Sequence, residues 1–195
     1  MASINGITVK ALKTFRGHEG EPCCQGNLYI GAKKIGFWSQ DSWGGCDNFM
    51  LDEPYSERKL DAKVKELNAD KTEKLTRYDG TEAILEYSLE YLMSDLIALI
   101  QDEKIYKAAV KDGFKGVLLV SDGYHMFGWQ LNENATKVST DVLLKHYADE
   151  IEKGKVKHKF FKENEYQKHT VKIYRSTADF NIGTKIKLDD ITREV

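Results

Sequence analysis

The chain has 195 residues, with 29 basic and 31 acidic side chains and a formal net charge of −2. This balance excludes a generally cationic nucleic-acid coat and an overall DNA mimic. Hydrophobic residues make up 41% of the chain and aromatic residues 11%, which excludes a disordered chain and provides for one core, or for a small module and a larger body.

Residues 1–53 are predicted to form a small antiparallel sheet module. The run 7–15 alternates as a half-buried strand does, with four residues on one face: Ile7, Val9, Ala11 and Phe15. Residues 27–41 are predicted to form a hairpin that turns at Gly31 and Ala32. In that hairpin Leu28 would share a face with Ile30, and Ile35 with Phe37.

Two glycine-rich loops, 16–26 and 42–47, interrupt this module, and a site is expected there because loops on a rigid sheet often carry function. They hold four side chains that could ligate zinc, namely His18, Cys23, Cys24 and Cys46. A catalytic thiol paired with His18 is a second interpretation, and ordinary reduced thiols are a third. Adjacent cysteines ligate one ion poorly and no Cys-x-x-Cys pair is present, which favours the third, so neither a metal nor a cofactor is predicted.

Three segments of the same module also carry a resemblance: Lys13-Thr-Phe-Arg-Gly-His-Glu-Gly20, Gly26-Asn-Leu-Tyr29 and Lys33-Lys-Ile-Gly-Phe37. Over roughly the first fifty residues the chain resembles small uncharacterised proteins of phages and mobile elements in gut Firmicutes. Some proteins from such neighbourhoods inhibit bacterial defence, including anti-CRISPR proteins. The resemblance implies an inhibitor, and it assigns no role to any residue.

Residues 54–195 are predicted to form an α+β body, with a candidate domain boundary at Pro54. Ser56 is expected to cap a short helix over 56–68 that has Leu60 and Val64 in its apolar stripe. A second β-hairpin is predicted over 115–131, turning at Asp122 and Gly123. A further helix is expected to begin at Ser139 or Thr140 and to end at Lys153.

A central helix is predicted from near Thr81, since Asp79 and Glu82 are spaced as in a capping box and leucines then recur at helical intervals. A second short helix is predicted over 105–112. Glu82, Glu86 and Glu90 would follow one side of the central helix. Such a stripe is typical of a solvated helix face, and it would also serve as an acidic docking edge for a basic partner.

The segment 153–175 has eight basic residues and two acidic ones, with aromatic residues between them. Its candidate contact residues are Lys155, Lys157, Lys159, Phe160 and Lys162. Lysines neutralise phosphates and aromatic rings stack on bases, so the composition suits single-strand or RNA binding. It also suits an ordinary amphipathic edge whose lysine stems cover apolar surface.

An odd cysteine count with two adjacent thiols favours a cytosolic protein, and the resemblance implies that the cytoplasm is that of a bacterial host cell. The longest apolar stretch is interrupted by carboxylates, which predicts no membrane span, and the start of the chain predicts no signal peptide. The favoured hypothesis is a non-catalytic binding protein whose partner is a protein or a nucleoprotein, such as a CRISPR-Cas effector. The alternatives are a nucleic-acid-binding protein using residues 153–175, and a cysteine- or histidine-dependent enzyme or zinc protein.

Overall fold

A computed structural model describes residues 1–76, 79–121, 126–152 and 170–193, and its fold is α+β as predicted. The chain divides into two compact units, one of Met1–Ile100 with Asn181–Val195 and the other of Gln101–Phe180. The predicted boundary at Pro54 concerns independently folding domains and stays a prediction.

The first unit is built on a six-stranded sheet in the order β11-β1-β2-β3-β4-β5. All neighbours are antiparallel except β1 and β11, which pair in parallel, so the sheet is mixed and larger than the predicted module. The strands are β1 (Ser3–Ile4), β2 (Ile7–Arg16), β3 (Pro22–Ile30), β4 (Lys33–Ser39), β5 (Asn48–Leu51) and β11 (Asn181–Ile182).

One face of this sheet is buried, and it includes the fully enclosed side chains of Ile7, Leu28 and Trp38. The predicted turn at Gly31 and Ala32 is confirmed between β3 and β4. The predicted loop 16–26 is too long, because Pro22 already begins β3. Cys23 and Cys24 therefore lie on a strand and are buried.

Two irregularities alter the predicted strand faces. In β2, Lys10 pairs with Asn27 but Lys13 pairs with Gln25, so β2 carries one extra residue. Ala11 lies in this bulge with a φ of 53° and is exposed, so its predicted inward position is wrong.

In β4 the register shifts in the same way. Leu28 pairs with Gly36 and Tyr29 with Lys34, which leaves Ile35 as the extra residue. Ile35 is buried and Phe37 is half-exposed, so their predicted common face is also wrong. Gly36 is required here, since a Cβ on it would lie 2.4 Å from the carbonyl oxygen of Met50 on β5.

The helices of the first unit begin with α1 (Glu57–Leu67), whose predicted cap is confirmed: the Ser56 hydroxyl accepts from the Lys59 N–H at 3.5 Å. The predicted helix start near Thr81 is wrong. Residues 82–85 form β7 (Glu82–Leu85), which pairs with β6 (Glu73–Thr76).

The central helix is α2 (Leu89–Lys111), and the predicted second helix over 105–112 is its continuation. Its first N–H, that of Leu89, donates to the Asp61 carboxylate at 2.9 Å. Because the helix begins at Leu89, the predicted stripe of three glutamates along it does not exist.

The second unit contains a three-stranded antiparallel sheet in the order β10-β8-β9, with β8 (Gly116–Ser121), β9 (Met126–Leu131) and β10 (Thr170–Tyr174). Helices α3 (Glu133–Thr136) and α4 (Thr140–Glu152) follow β9. Leu118, Val120, Leu131 and Leu143 form its buried cluster. The second hairpin is thus confirmed, while its predicted turn at Asp122 and Gly123 lies outside the described residues.

A buried carboxylate, Asp102 of α2, joins helix to sheet inside the second unit. It accepts from the Tyr174 hydroxyl at 2.7 Å and from the Lys172 ammonium at 2.9 Å. Burial, together with the bond to Asp102, raises the pKa of Tyr174. These hydrogen bonds hold β10 against α2. None of the helices in the described chain has the length and apolarity needed to cross a membrane.

Candidate functional site

The two loops expected to carry a site lie side by side at one end of the six-stranded sheet. His18 belongs to the loop between β2 and β3, and Trp43 to the loop between β4 and β5. Their rings stack with centroids 3.8 Å apart and an interplanar angle of 21°. The His18 N–H donates to the Ser42 carbonyl at 2.7 Å, which ties the two backbones together. Trp43 is nevertheless 72% exposed.

The loop that carries Trp43 is fixed at several points. The Asp41 carboxylate accepts from the Gly45 N–H at 2.8 Å. The Asp47 carboxylate accepts from the Trp38 indole N–H at 2.7 Å, and the Asp47 N–H donates to Glu90 at 2.7 Å. The loop is therefore organised before any partner arrives, and it holds a large aromatic side chain in solvent.

The side chains considered for zinc are not assembled into a metal site. No group of three or more histidine, cysteine or acidic side chains that could hold a metal ion occurs in the described part of the chain. All three cysteines are free; Cys23 and Cys24 are buried in β3, and Cys46 is exposed. His18, the fourth candidate, stacks on Trp43.

The environment of Cys23 also disfavours a nucleophile. Burial raises the pKa of its thiol, and the neighbouring carboxylates of Glu21, Asp41 and Asp47 raise this pKa further. A thiol with a raised pKa holds little of the reactive thiolate.

The three predicted acidic contacts lie on a strand, on the connection after it and on a helix. Glu82 is exposed on β7, Glu86 follows β7 and forms an ion pair with Lys65 at 3.1 Å, and Glu90 binds the Asp47 N–H from the first turn of α2. Of the three, Glu90 helps to hold the Trp43 loop in place through this hydrogen bond, a role that the sequence did not predict. A part for these carboxylates in partner binding stays a prediction.

The predicted basic contacts, Lys155, Lys157, Lys159, Phe160 and Lys162, lie outside the described residues. A part for them in binding nucleic acid or a partner therefore stays a prediction as well.

A separate open cavity of about 470 Å³ lies in the first unit beside the start of α2. The Tyr87 hydroxyl donates to Asp95 at 2.5 Å, and the Lys71 ammonium lies 4.3 Å from the Tyr87 ring centroid. Burial, together with the bond to Asp95, raises the pKa of Tyr87, so its hydroxyl stays protonated. The chain's own groups thus already satisfy the tyrosine.

Sequence reasoning located the two loops but missed the Trp43–His18 stack. A tryptophan followed by two glycines in a polar loop was the available signal, since such a residue has no strand or helix to bury it. Comparisons with protein-family models, with curated proteins and with solved structures gave no match to this chain.

Proposed function

We propose that this chain is a non-catalytic binding protein whose partner is a protein or a nucleoprotein. The observation that carries the proposal is the exposed Trp43 ring, stacked on His18 and held on a hydrogen-bonded loop. Tryptophan is among the residues that contribute most to binding at protein interfaces. A loop that is already ordered loses less conformational entropy when the partner binds.

The kind of partner is proposed from the resemblance of the first fifty residues to phage and mobile-element proteins. His18 lies in one of the segments that carry this resemblance, and Trp43 lies within the same first fifty residues. The partner proposed is a bacterial defence nucleoprotein such as a CRISPR-Cas effector, met in the cytoplasm of the bacterial host cell. The chain would act by occupying the effector's surface.

The test combines plasmid interference in cells with direct binding. Bacteria carrying one CRISPR-Cas type each would express the chain, and restored transformation by a targeted plasmid would identify the inhibited type. The purified effector would then be captured on the tagged protein. The Trp43→Ser substitution should lower capture by about tenfold or more, as expected for the loss of a central aromatic contact, and leave the unfolding midpoint unchanged.

The matched control is Ile84→Ser. Ile84 is 69% exposed on β7, so this substitution removes exposed apolar surface elsewhere on the same unit. It should retain capture. Equal capture by wild type and Trp43→Ser would refute the site. Failure to restore transformation with any effector type would refute the CRISPR-Cas assignment.

The acidic residues are tested separately by Glu82→Lys. Glu82 is exposed and has no described ion pair to lose, whereas Glu86 and Glu90 are engaged with Lys65 and Asp47. If β7 carries an acidic docking edge, this reversal slows association, and the effect weakens as salt is added. Unchanged association at low salt would remove the acidic edge from the proposal.

A further inference from the structure

The outward face of the six-stranded sheet, opposite its buried face, carries positive charge. Strands β2 to β5 contain no acidic residue and five basic ones: Lys10, Lys13, Arg16, Lys33 and Lys34. Three of the five, Lys10, Lys13 and Lys34, lie on the outward face by their pairing, whereas Arg16 and Lys33 pair with Pro22 and Ile30 on the other face. In a chain with a net charge of −2 this is a local segregation of positive charge.

The bulge in β2 decides where two of these charges point. Residues three apart on a regular strand face opposite sides of the sheet. Because the bulge adds one residue between them, Lys10 pairs with Asn27 and Lys13 with Gln25, two residues apart on β3. Asn27 and Gln25 share a face, so both lysines lie on the outward side. Bulges commonly re-aim side chains in this way.

Aromatic rings lie among these lysines. Tyr29 of β3 pairs with Lys34 of β4. Phe37 of β4 lies between Asn27 of β3, which pairs with Lys10, and Met50 of β5. The Lys10 ammonium lies 4.0 Å from the Tyr29 ring centroid, which confirms that the two side chains share a face. Tyr29 and Phe37 are half-buried, so their rings are supported by neighbours and still accessible.

We propose that this outward face binds a single-stranded nucleic acid, with Tyr29 and Phe37 stacking on bases and Lys10, Lys13 and Lys34 neutralising phosphates. Single-strand-binding sheets combine these two elements, because every base has a face to stack and every linkage has a charge. Amide side chains at Gln25 and Asn27 add donors and acceptors for base edges. The Asp52 carboxylate lies 4.0 Å from the Lys34 ammonium, an exposed ion pair that a phosphate would replace.

This site shares no residue with the Trp43 site or with the predicted basic segment. It is built from strand positions on a sheet whose other face forms core, so its geometry does not depend on loops. A duplex would fit it poorly, since paired and stacked bases offer no ring face to Tyr29 and Phe37.

The test measures binding of fluorescent poly-dT and poly-U of about 20 nucleotides, with a duplex of equal length as competitor. The wild-type protein should bind the single strands at low salt and prefer them to the duplex. Changing Lys10, Lys13 and Lys34 to Gln should make the slope of log affinity against log salt less negative by about 2, because about 0.7 is lost per phosphate contact. The control changes three exposed lysines elsewhere to Gln: Lys74, Lys104 and Lys115.

The aromatic residues are tested by Tyr29→Leu and Phe37→Leu, which keep apolar volume and remove the stacking ring. Each should weaken single-strand binding by about fivefold or more. Retained capture of the effector by these variants would show that the Trp43 site is intact, so the two proposals can fail separately.

Three outcomes would overturn the nucleic-acid proposal. The first is no single-strand binding by the wild type at low salt. The second is unchanged binding by both the lysine and the ring variants. The third is loss of binding only when Lys155, Lys157 and Lys159 are changed to Gln, which would assign binding to the segment 153–175 instead.

Discussion

The two faces of the six-stranded sheet show how one set of strands can supply both a core and a surface. Trp38 is fully buried, and Phe37, the preceding residue on β4, is half-exposed beside Met50. In the paired middle of β2 and β3 the inward side chains include Ile7, Val9 and Leu28, whereas the outward ones include Lys10 and Asn27. Alternation along each strand therefore separates an apolar face from a polar one, and the bulges decide which residue belongs to which face.

Truncation at neighbouring positions of β4 should give the largest contrast. We expect Trp38→Ala to lower the free energy of unfolding by about 3–5 kcal/mol, because it leaves a cavity in the core. It also removes the donor to Asp47. Phe37→Ala should cost about 1 kcal/mol or less, since a half-exposed strand position loses little packing.

Urea unfolding of both variants, followed by the same optical signal, measures this contrast. Phe37→Leu provides the control for strand propensity. Similar costs at positions 37 and 38 would mean that the outward face is covered in solution, and the nucleic-acid proposal would lose its open surface.

The β2 bulge should have a smaller effect. Ala11 has a φ of 53°, which costs a residue with a Cβ about 1 kcal/mol. Ala11→Gly should therefore raise the free energy of unfolding by up to about 1 kcal/mol, part of the gain being offset by the freer unfolded chain. Ala11→Val should lower it by about 1–3 kcal/mol, because a branched side chain tolerates this conformation poorly.

Urea titration measures both changes at position 11. If Val is accepted without loss, β2 runs as a regular strand in solution. Lys13 would then face the core side, and the alignment of Lys10 with Lys13 would be lost.

Local sequence patterns predicted correctly those elements that are stabilised by residues adjacent in the sequence. The turn at Gly31, the Ser56 cap and the second hairpin are of this kind, and all were predicted from adjacent residues. The start of α2 was not, because its first N–H is capped by Asp61 from a different helix. Asp79 and Glu82 carry the spacing of a cap, but Glu82 begins strand β7.

The candidate site shows the same limit. Glycine content marked its two loops, but the stacking of His18 on Trp43 depends on sheet pairing that brings separate turns together. The parallel pairing of Ser3 with Asn181 is a still longer-range contact that no local pattern signals. The two bulges likewise depend on how neighbouring strands pair, so an alternating pattern misassigned Ala11 and Phe37.

The smallest predicted change in the free energy of unfolding concerns Asp47, whose carboxylate binds the indole N–H of the buried Trp38. Burial raises the pKa of Asp47 and so does Glu90, while the hydrogen bond from Trp38 opposes them. Since the pKa is higher in the folded than in the unfolded chain, where it is about 3.9, ionisation costs folding free energy. That cost is absent below the unfolded pKa and is complete above the folded one.

Asp47→Asn should therefore raise the free energy of unfolding at pH 7 by less than about 1 kcal/mol, because the group is partly solvated. The amide oxygen can still accept the Trp38 indole N–H, so the loop stays in place. The gain should disappear near pH 3.5, below the unfolded pKa of about 3.9. Urea midpoints at both pH values measure it, and Asp112→Asn, at an exposed position, serves as control. A loss of stability at pH 7 would mean that the charged hydrogen bond to the indole outweighs burial, and that Asp47 stabilises the Trp43 loop through its charge.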